Sequence, residues 1–387
     1  MINFDNTEVA FNDKDARHLK RACFLFRMVG SPILVKGGSA LLQLALWLHL
    51  PVEWALKPTV FAHFCGGETI DECDSTIGQL GASGIYTILD YSAEGKEREA
   101  DFDHTKNQIL ATIDKAVQEK HMPFAVFKPT GLSRFALLEE VQAGQALSYE
   151  EQAEFDRVKT RFEEIAAYAV KKDVPVMVDA EETQIQDLVD MLVEDLMFKY
   201  NQNKPYIYNT LQMYRQDRLE YLKDFVARAR NKGVFAAFKL VRGAYMEKER
   251  AHAARNNLPS PIYPDKASTD NAFDEAVTYC LNNVDDLAVN IGTHNEISCA
   301  RAADTMRSLS LPAAHKHISF AQLLGMSDHI SYNLAEAGYN VCKYVPYGPV
   351  KSVLPYLIRR AEENTSVSGQ TSRELFLIKK EIARRKS

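Results

Sequence analysis

The chain reads as α/β, a (β/α)8 barrel behind an N-terminal helical region. Three observations lead there: eight short β-branched or aromatic runs, amphipathic stretches of helix length between most of them, and polar side chains at the same end of nearly every run. The runs are IYTILDY (85–91), PFAVFKP (123–129), VPVMVDA (174–180), YIYNTLQMY (206–214), VFAAFKLVRG (234–243), LAVNIGTHN (287–295), HISFAQ (317–322) and NVCKYVPY (340–347). Near-continuous apolar strands alternating with helices imply a parallel sheet covered on its outer face. Eight strand–helix units close a barrel. An open doubly wound sheet is the alternative, but it rarely needs eight units and usually shows a Gly-rich first turn, absent after the first run.

Taken in order, the elements begin with a helical region. From Lys14 to about Leu80, segments such as HLKRACFLFRMV and SALLQLALWLHL repeat apolar residues every three or four positions. Gly37-Gly38, Pro51 and Gly66-Gly67 punctuate them. The window Ala40 to Leu50 is the most apolar, yet too short to span a bilayer. The opening residues MINFDNTEV are acidic and polar, unlike a secretory signal. Strand–helix units follow, and the chain divides into a helical region (1–80), a barrel (81–366) and a basic C-terminal helix (367–387). The cations of that helix, Lys379, Lys380, Arg384, Arg385 and Lys386, read as a solvated end at the negative helix pole, with an acidic membrane surface as the alternative.

The 387 residues are 46% hydrophobic and 25% charged with a net charge of −6, so a large core is available and no global basic field points to nucleic acid. Cys23, Cys65, Cys73, Cys280, Cys299 and Cys342 form no CxxC pair, which suits a reduced, intracellular protein without a cysteine metal site. His315 and His317 would need further ligands to hold a metal.

Chemistry in a barrel sits at the C-terminal strand ends. There the runs carry Lys128; Asp179 to Glu182; Gln212 and Tyr214; Lys239 to Tyr245; Thr293, His294 and Asn295; Gln322; and Tyr344. Singly, each has a structural explanation: Lys128 as a surface lysine, Asp179 as a helix cap, His294 as a core histidine. Jointly they read as a site, because buried polar groups cost free energy unless they bind each other or a ligand. The stretch PYLIRRAEEN after the last run sets Tyr356, Arg359, Arg360 and Glu363 along one helical stripe. Two adjacent guanidinium groups suit one carboxylate; a solvent-facing ion-pair ladder is the alternative.

With KLVRGAYMEKER, DAEE, THN and YLIRRAEEN in this order, and FKPTGL and ILDYSAEGKE before them, residues 60 to 365 resemble the proline dehydrogenase family, in its stand-alone, mitochondrial-type form. The resemblance implies a distorted (β/α)8 TIM-like barrel with FAD at the strand ends. It implies oxidation of L-proline to 1-pyrroline-5-carboxylate by hydride transfer to FAD, with electrons passing to a quinone. It implies a carboxylate grip by Arg359 and Arg360 with Lys128 beside it, and a ring pocket walled by Tyr344, Tyr356 and Leu240. Asp179 would organise the charges, and Lys239 would sit beside the flavin. Ala180, Gln212, Val241, Arg242, Gly243, Ala244, Tyr245, Thr293, His294, Asn295, Gln322 and Glu363 would complete the cofactor shell. The expected location is cytoplasmic or peripheral to the inner face of a respiratory membrane, with an oligomer left open. Two positions depart from the family pattern: Lys239, where arginine is frequent, and Met246, where some members carry an aromatic residue. The rivals are a hydroxyproline-preferring dehydrogenase, against which the bulk of Tyr344 argues, a Schiff-base aldolase or lyase using Lys128 or Lys239, and a metabolite-binding regulator.

Overall fold

The computed structural model describes residues 2–31, 37–38, 52–92, 96–366 and 370–386, so the apolar window 40–50 lies outside the described residues. Eight parallel strands follow one another around a closed barrel: β1 (Ile85–Tyr91), β2 (Phe124–Phe127), β3 (Val176–Val178), β4 (Ile207–Gln212), β5 (Ala236–Val241), β6 (Leu287–Gly292), β7 (Ile318–Leu323) and β8 (Val341–Tyr347). Each falls within its predicted run or one residue beyond it, and closure sets the open-sheet alternative aside. Two compact units make up the chain: residues Ala93–Ala321, and residues Met1–Ser92 together with Gln322–Ser387.

In the unit Ala93–Ala321, local sequence sets where each helix begins and ends. Ser148 and Glu151 form a reciprocal capping box that starts the helix Tyr149–Lys171. Asp265 and Asn295 cap the helices Lys266–Leu281 and Glu296–Ser308, and Gly233 ends Arg218–Lys232 in the left-handed conformation. Aromatic residues join helix to strand, edge to face: Phe127 of β2 meets Phe162 with centroids 5.1 Å apart, and Phe238 of β5 meets Phe225 at 5.4 Å.

In the other unit, β1 and β8 pair in register from Ile85 opposite Val341 to Tyr91 opposite Tyr347. The Gly66-Gly67 pair runs alongside the end of β8, donating from the Gly66 N–H to the Pro346 carbonyl (2.9 Å). A Cβ at Gly66 would lie 2.6 Å from the Val345 side chain, so the close approach excludes other residues. The helix Ala16–Val29 buries Leu19, Cys23 and Phe26 against Leu377 and Ile378 of the C-terminal helix Gln370–Arg384. The basic C-terminal end is taken up by this contact. Arg385 donates to the Phe11 and Lys14 carbonyls (2.7 and 2.6 Å), Lys380 donates to the Asp5 carbonyl (2.8 Å), and Glu381 pairs with Arg384 and Arg385. Those bonds tie Lys380, Arg384 and Arg385 to the fold. Among the described residues no helix is long and apolar enough to cross a membrane.

Beneath β8, the fully buried Lys343 pairs with Asp328 (2.9 Å) and donates to the Met326 carbonyl (2.5 Å). Burial pushes Asp328 up, but Lys343 and Lys14 outweigh it and hold the carboxyl down at about 2. Glu374 of the C-terminal helix accepts from the Ser327 N–H (2.7 Å). Burial, helped by the charge of Asp328 and opposed by that bond, pushes its carboxyl up to about 8. An acid raised in the folded state keeps its proton where the unfolded chain has lost it. Stability therefore falls as pH rises from the unfolded value, near 4.3, towards 8, at about 1.4 kcal/mol per pH unit for a single group. Glu374→Gln is expected to flatten the decline of the melting temperature between pH 5 and 8. An unchanged slope in thermal unfolding across that window would refute the assignment.

Candidate active site

The strand ends of the unit Ala93–Ala321 gather most of the predicted polar residues. Lys128 follows β2 and donates to Asp179, just past β3, at 3.1 Å; Lys239, within β5, donates to the other oxygen of the same carboxylate. All three side chains are at least mostly buried. Two cations share one anion here. Strand register accounts for Lys239: it pairs with Thr210 of β4 and Asn290 of β6, and Thr210 bonds to the Val178 carbonyl on the lumen side.

Leu240 follows by one residue and is buried completely. The pleat gives it the parity of Phe238, which packs on the helix layer through Phe225. That alternation turns Leu240 away from the lumen, so its expected place in the wall of a ring pocket is not the one the strand provides.

Gln212 ends β4 with its carboxamide held on both sides. Its Nε2 donates to the Glu181 carbonyl (2.7 Å), and its Oε1 accepts from the Ala244 N–H (3.1 Å). One amide hydrogen remains for a ligand. Val241 and Arg242 extend the pairing with β4 through their carbonyls, which accept from Met213 (2.8 Å) and Tyr214 (2.7 Å). The Arg242 guanidinium lies 4.4 Å above the Phe273 ring and binds Asp270 (2.6 Å), Thr293 (2.6 Å) and Ser298 (2.8 Å). Asn295 uses its oxygen to cap the next helix through Ile297 (2.9 Å) and Ser298 (3.2 Å). Arg242, Thr293 and Asn295 therefore hold the β5 and β6 loops together. Ala180 and His294 are half-buried, Tyr245 is buried, and Ala244 is exposed. Met246 is 44% exposed at the start of its helix, with room beside it.

In the other unit, Gln322 accepts from the Ser331 hydroxyl (2.8 Å), and Tyr344 of β8 is buried with its carbonyl accepting from Leu324 (2.8 Å). The helix Val350–Ser366 carries Tyr356, Arg359 and Arg360; the Arg360 guanidinium lies 5.2 Å from the centre of the Tyr356 ring. Tyr356 also joins an apolar cluster with Phe64, Val353 and Leu357, so an apolar face anchors the stripe. This placement removes the solvent-facing ladder as an explanation, because Tyr356 and Arg360 are buried. The Glu363 side chain lies outside the described residues.

Two features escaped the sequence reading, the buried pair Asp190–Arg218 (2.5 Å) and Lys343 with Asp328; Glu181, within the strand-end set but given no role there, accepts from the Thr130 N–H (2.8 Å) and hydroxyl (2.6 Å). Gln186 and Asp190 stand four apart on an otherwise apolar helical face, a polar interruption that would have marked them. The cysteines are all free and buried, and His317 bonds to the Val284 carbonyl (2.8 Å). Among the described residues no cluster of three or more His, Cys, Asp or Glu is placed for a metal ion.

Gly243 has φ of +131°, and a Cβ there would lie 2.6 Å from the Tyr214 ring. Gly243→Ala is expected to cost about 1–3 kcal/mol, read as a melting temperature lowered by several degrees. A wild-type melting temperature would show that the loop relaxes freely.

Residues 73–373 match the sequence model of the family described as proline dehydrogenase. The carbapenem antibiotics biosynthesis protein CarD of Pectobacterium carotovorum subsp. carotovorum is 39% identical over 322 residues, covering 83% of each chain. The hydroxyproline dehydrogenase of Xenopus laevis is 31% identical over 412 aligned positions, covering 97% of this chain and 88% of its own. Among solved structures, proline utilization A from Bdellovibrio bacteriovorus superposes with a TM-score of 0.72 at 20% identity over 93% of this chain. The present chain spans 38% of that longer protein, and at this identity the likeness speaks for the fold alone. A closed eight-stranded barrel and a family match over 73–373 agree, and the chain belongs to the proline dehydrogenase family.

Proposed function

We propose that the protein uses FAD to oxidise L-proline to 1-pyrroline-5-carboxylate and delivers the electrons to a quinone. The observation that carries this reading is the buried Lys128–Asp179–Lys239 cluster at the ends of β2, β3 and β5. Two buried ammonium groups brought to one carboxylate suit a reaction that handles a substrate carboxylate and a cofactor gaining negative charge.

The residues fit FAD on two structural grounds. Gln212 retains one amide donor beyond its two protein bonds, in an orientation its partners determine. At Gly243 a φ of +131° and the nearby Tyr214 ring exclude any side chain, and a glycine of this kind suits a loop whose main chain approaches a ligand closely. Lys239, Gln212, Ala180 and the Val241–Tyr245 stretch would hold the group, with Thr293, His294, Asn295, Gln322 and Glu363 completing its shell. When bound, FAD supplies the acceptor for hydride leaving the ring carbon beside nitrogen.

The chain's own residues bind and orient. Arg359 and Arg360 grip the proline carboxylate, Lys128 adds charge to it, and Tyr344 and Tyr356 keep the ring flat, a contribution of proximity and alignment. Asp179 holds both ammonium groups in place, and Lys239 presents positive charge where negative charge develops. Both lysines donate to Asp179, unlike the desolvated, unpaired amine of a Schiff-base enzyme, which disfavours the aldolase rival.

The similarity to a hydroxyproline dehydrogenase keeps a second reading, in which the preferred substrate carries a ring hydroxyl. The bulk of Tyr344 favours proline. Anaerobic addition of L-proline to the purified yellow protein should bleach the flavin band, and hydroxyproline should do so poorly. Bleaching by hydroxyproline alone would establish the second reading, and a protein that stays colourless after incubation with FAD would overturn both. Arg359→Met is expected to raise KM for proline about 100-fold with a smaller change in kcat, because a charge-assisted, two-pronged grip acts mainly on binding. An unchanged KM would remove Arg359 from the carboxylate site.

A further inference from the structure

Behind the strand ends of the unit Ala93–Ala321 runs a chain of buried hydrogen bonds that the roles above leave unused. The helix Thr183–Tyr200 carries Gln186 and Asp190 one turn apart, 2% and 4% exposed. The Gln186 carboxamide donates to Asp190 (2.8 Å) and accepts from the Glu181 N–H (2.8 Å). Asp190 also accepts from Asn209 (2.9 Å) and Arg218 (2.5 Å), so its carboxyl is fully engaged behind β4. Glu181 then reaches forward in two directions. Its carboxylate takes the N–H and hydroxyl of Thr130 in the turn Pro129–Gly131, immediately after Lys128. Its carbonyl takes the Gln212 carboxamide at the end of β4.

We infer that Glu181 is a positioning residue for the reaction: its carboxylate sets the turn that presents Lys128, its carbonyl sets the Gln212 carboxamide, and Gln186 anchors it to Asp190. The inference rests on the roles proposed for Lys128 and Gln212. The Thr130 N–H is one of the donors that the start of a short helical turn leaves without a partner, and a buried carboxylate answers it with two charge-assisted bonds. On the other arm, the Gln212 carboxamide has one orientation. A flip would set oxygen against the Glu181 carbonyl and nitrogen against the Ala244 N–H. The remaining Gln212 hydrogen therefore points where Glu181 sends it. Gln186 matters because it joins the Glu181 backbone to a carboxylate already held by two other donors.

The two arms predict different defects, which a loss of general stability would not. Thr130→Val deletes only the hydroxyl and should raise KM for proline about fivefold, with kcat within about twofold and the flavin spectrum unchanged. Thr130→Ser should restore KM. Gln186→Met loosens the Glu181 backbone, whose carbonyl is the Gln212 arm, and should shift the flavin absorption band and midpoint potential while raising KM less than Thr130→Val does. The wild-type protein is measured first: if it takes up no flavin or ignores proline, the proposed function has failed rather than this inference. If the wild type reacts and both folded variants match it, Glu181 positions nothing. If both variants lower kcat and raise KM alike, its role is structural and the inference is likewise overturned. Should Gln186→Met fail to fold, the valine and serine pair at Thr130 decides the Lys128 arm alone.

Discussion

Asp179 is the charge on which the strand ends of the unit Ala93–Ala321 depend. One oxygen takes Lys128 and the other Lys239, so two ammonium groups from different strands stay buried on a single carboxylate. Removing one partner of such a buried arrangement typically costs about 3–5 kcal/mol, because the remaining charge has lost its counter-ion. Here a missing aspartate would leave two like charges together. The residues around it follow from that requirement: Asp179 must sit just past β3, Lys239 must face the lumen, and the turn after β2 must return Lys128 to the same point.

The rest of the chain uses acids in contrasting ways. Asp328 is held ionised beneath β8 by Lys343 and Lys14, whereas burial drives Glu374, a few ångströms of hydrogen bonding away through Ser327, towards its neutral form. Asp190 lies between these cases, pushed up by burial and resisted by Arg218, Asn209 and Gln186. Burial raises all three carboxyls, and the direction that results depends on how much cationic charge and hydrogen bonding oppose it.

How much of this was legible in the sequence varied with the kind of signal. The eight strands stood out because β-branched runs alternate with amphipathic stretches, and the strand-end polar residues stood out because they recur at equivalent positions. Lys128, Asp179, Lys239 and Gln212 do come together in space. The KLVRG string conceals the pleat at Leu240, whose side chain lies on the opposite side of the strand from that of Lys239. Arg242 and Asn295 looked like ligand-binding groups, yet they also bind loops to each other, a duty that depends on Asp270 and Ser298 far along the chain. Lys343 and Glu374 gave no warning at all, because their partners are set by tertiary contacts between distant segments. The C-terminal cations illustrate the same gap, since their carbonyl acceptors lie near residue 11.

The pairing of β1 with β8 joins residues about 250 positions apart, and the helices at the two chain ends pack on each other in the same unit. A growing chain can complete the unit Ala93–Ala321 from contiguous sequence. The unit holding β1 and β8 must wait for residues about 250 positions further on, with one edge of β1 open and the apolar face of Ala16–Val29 exposed in the meantime. During synthesis that segment is the part most in need of protection from aggregation, and the helix Gln370–Arg384 is the one that relieves it.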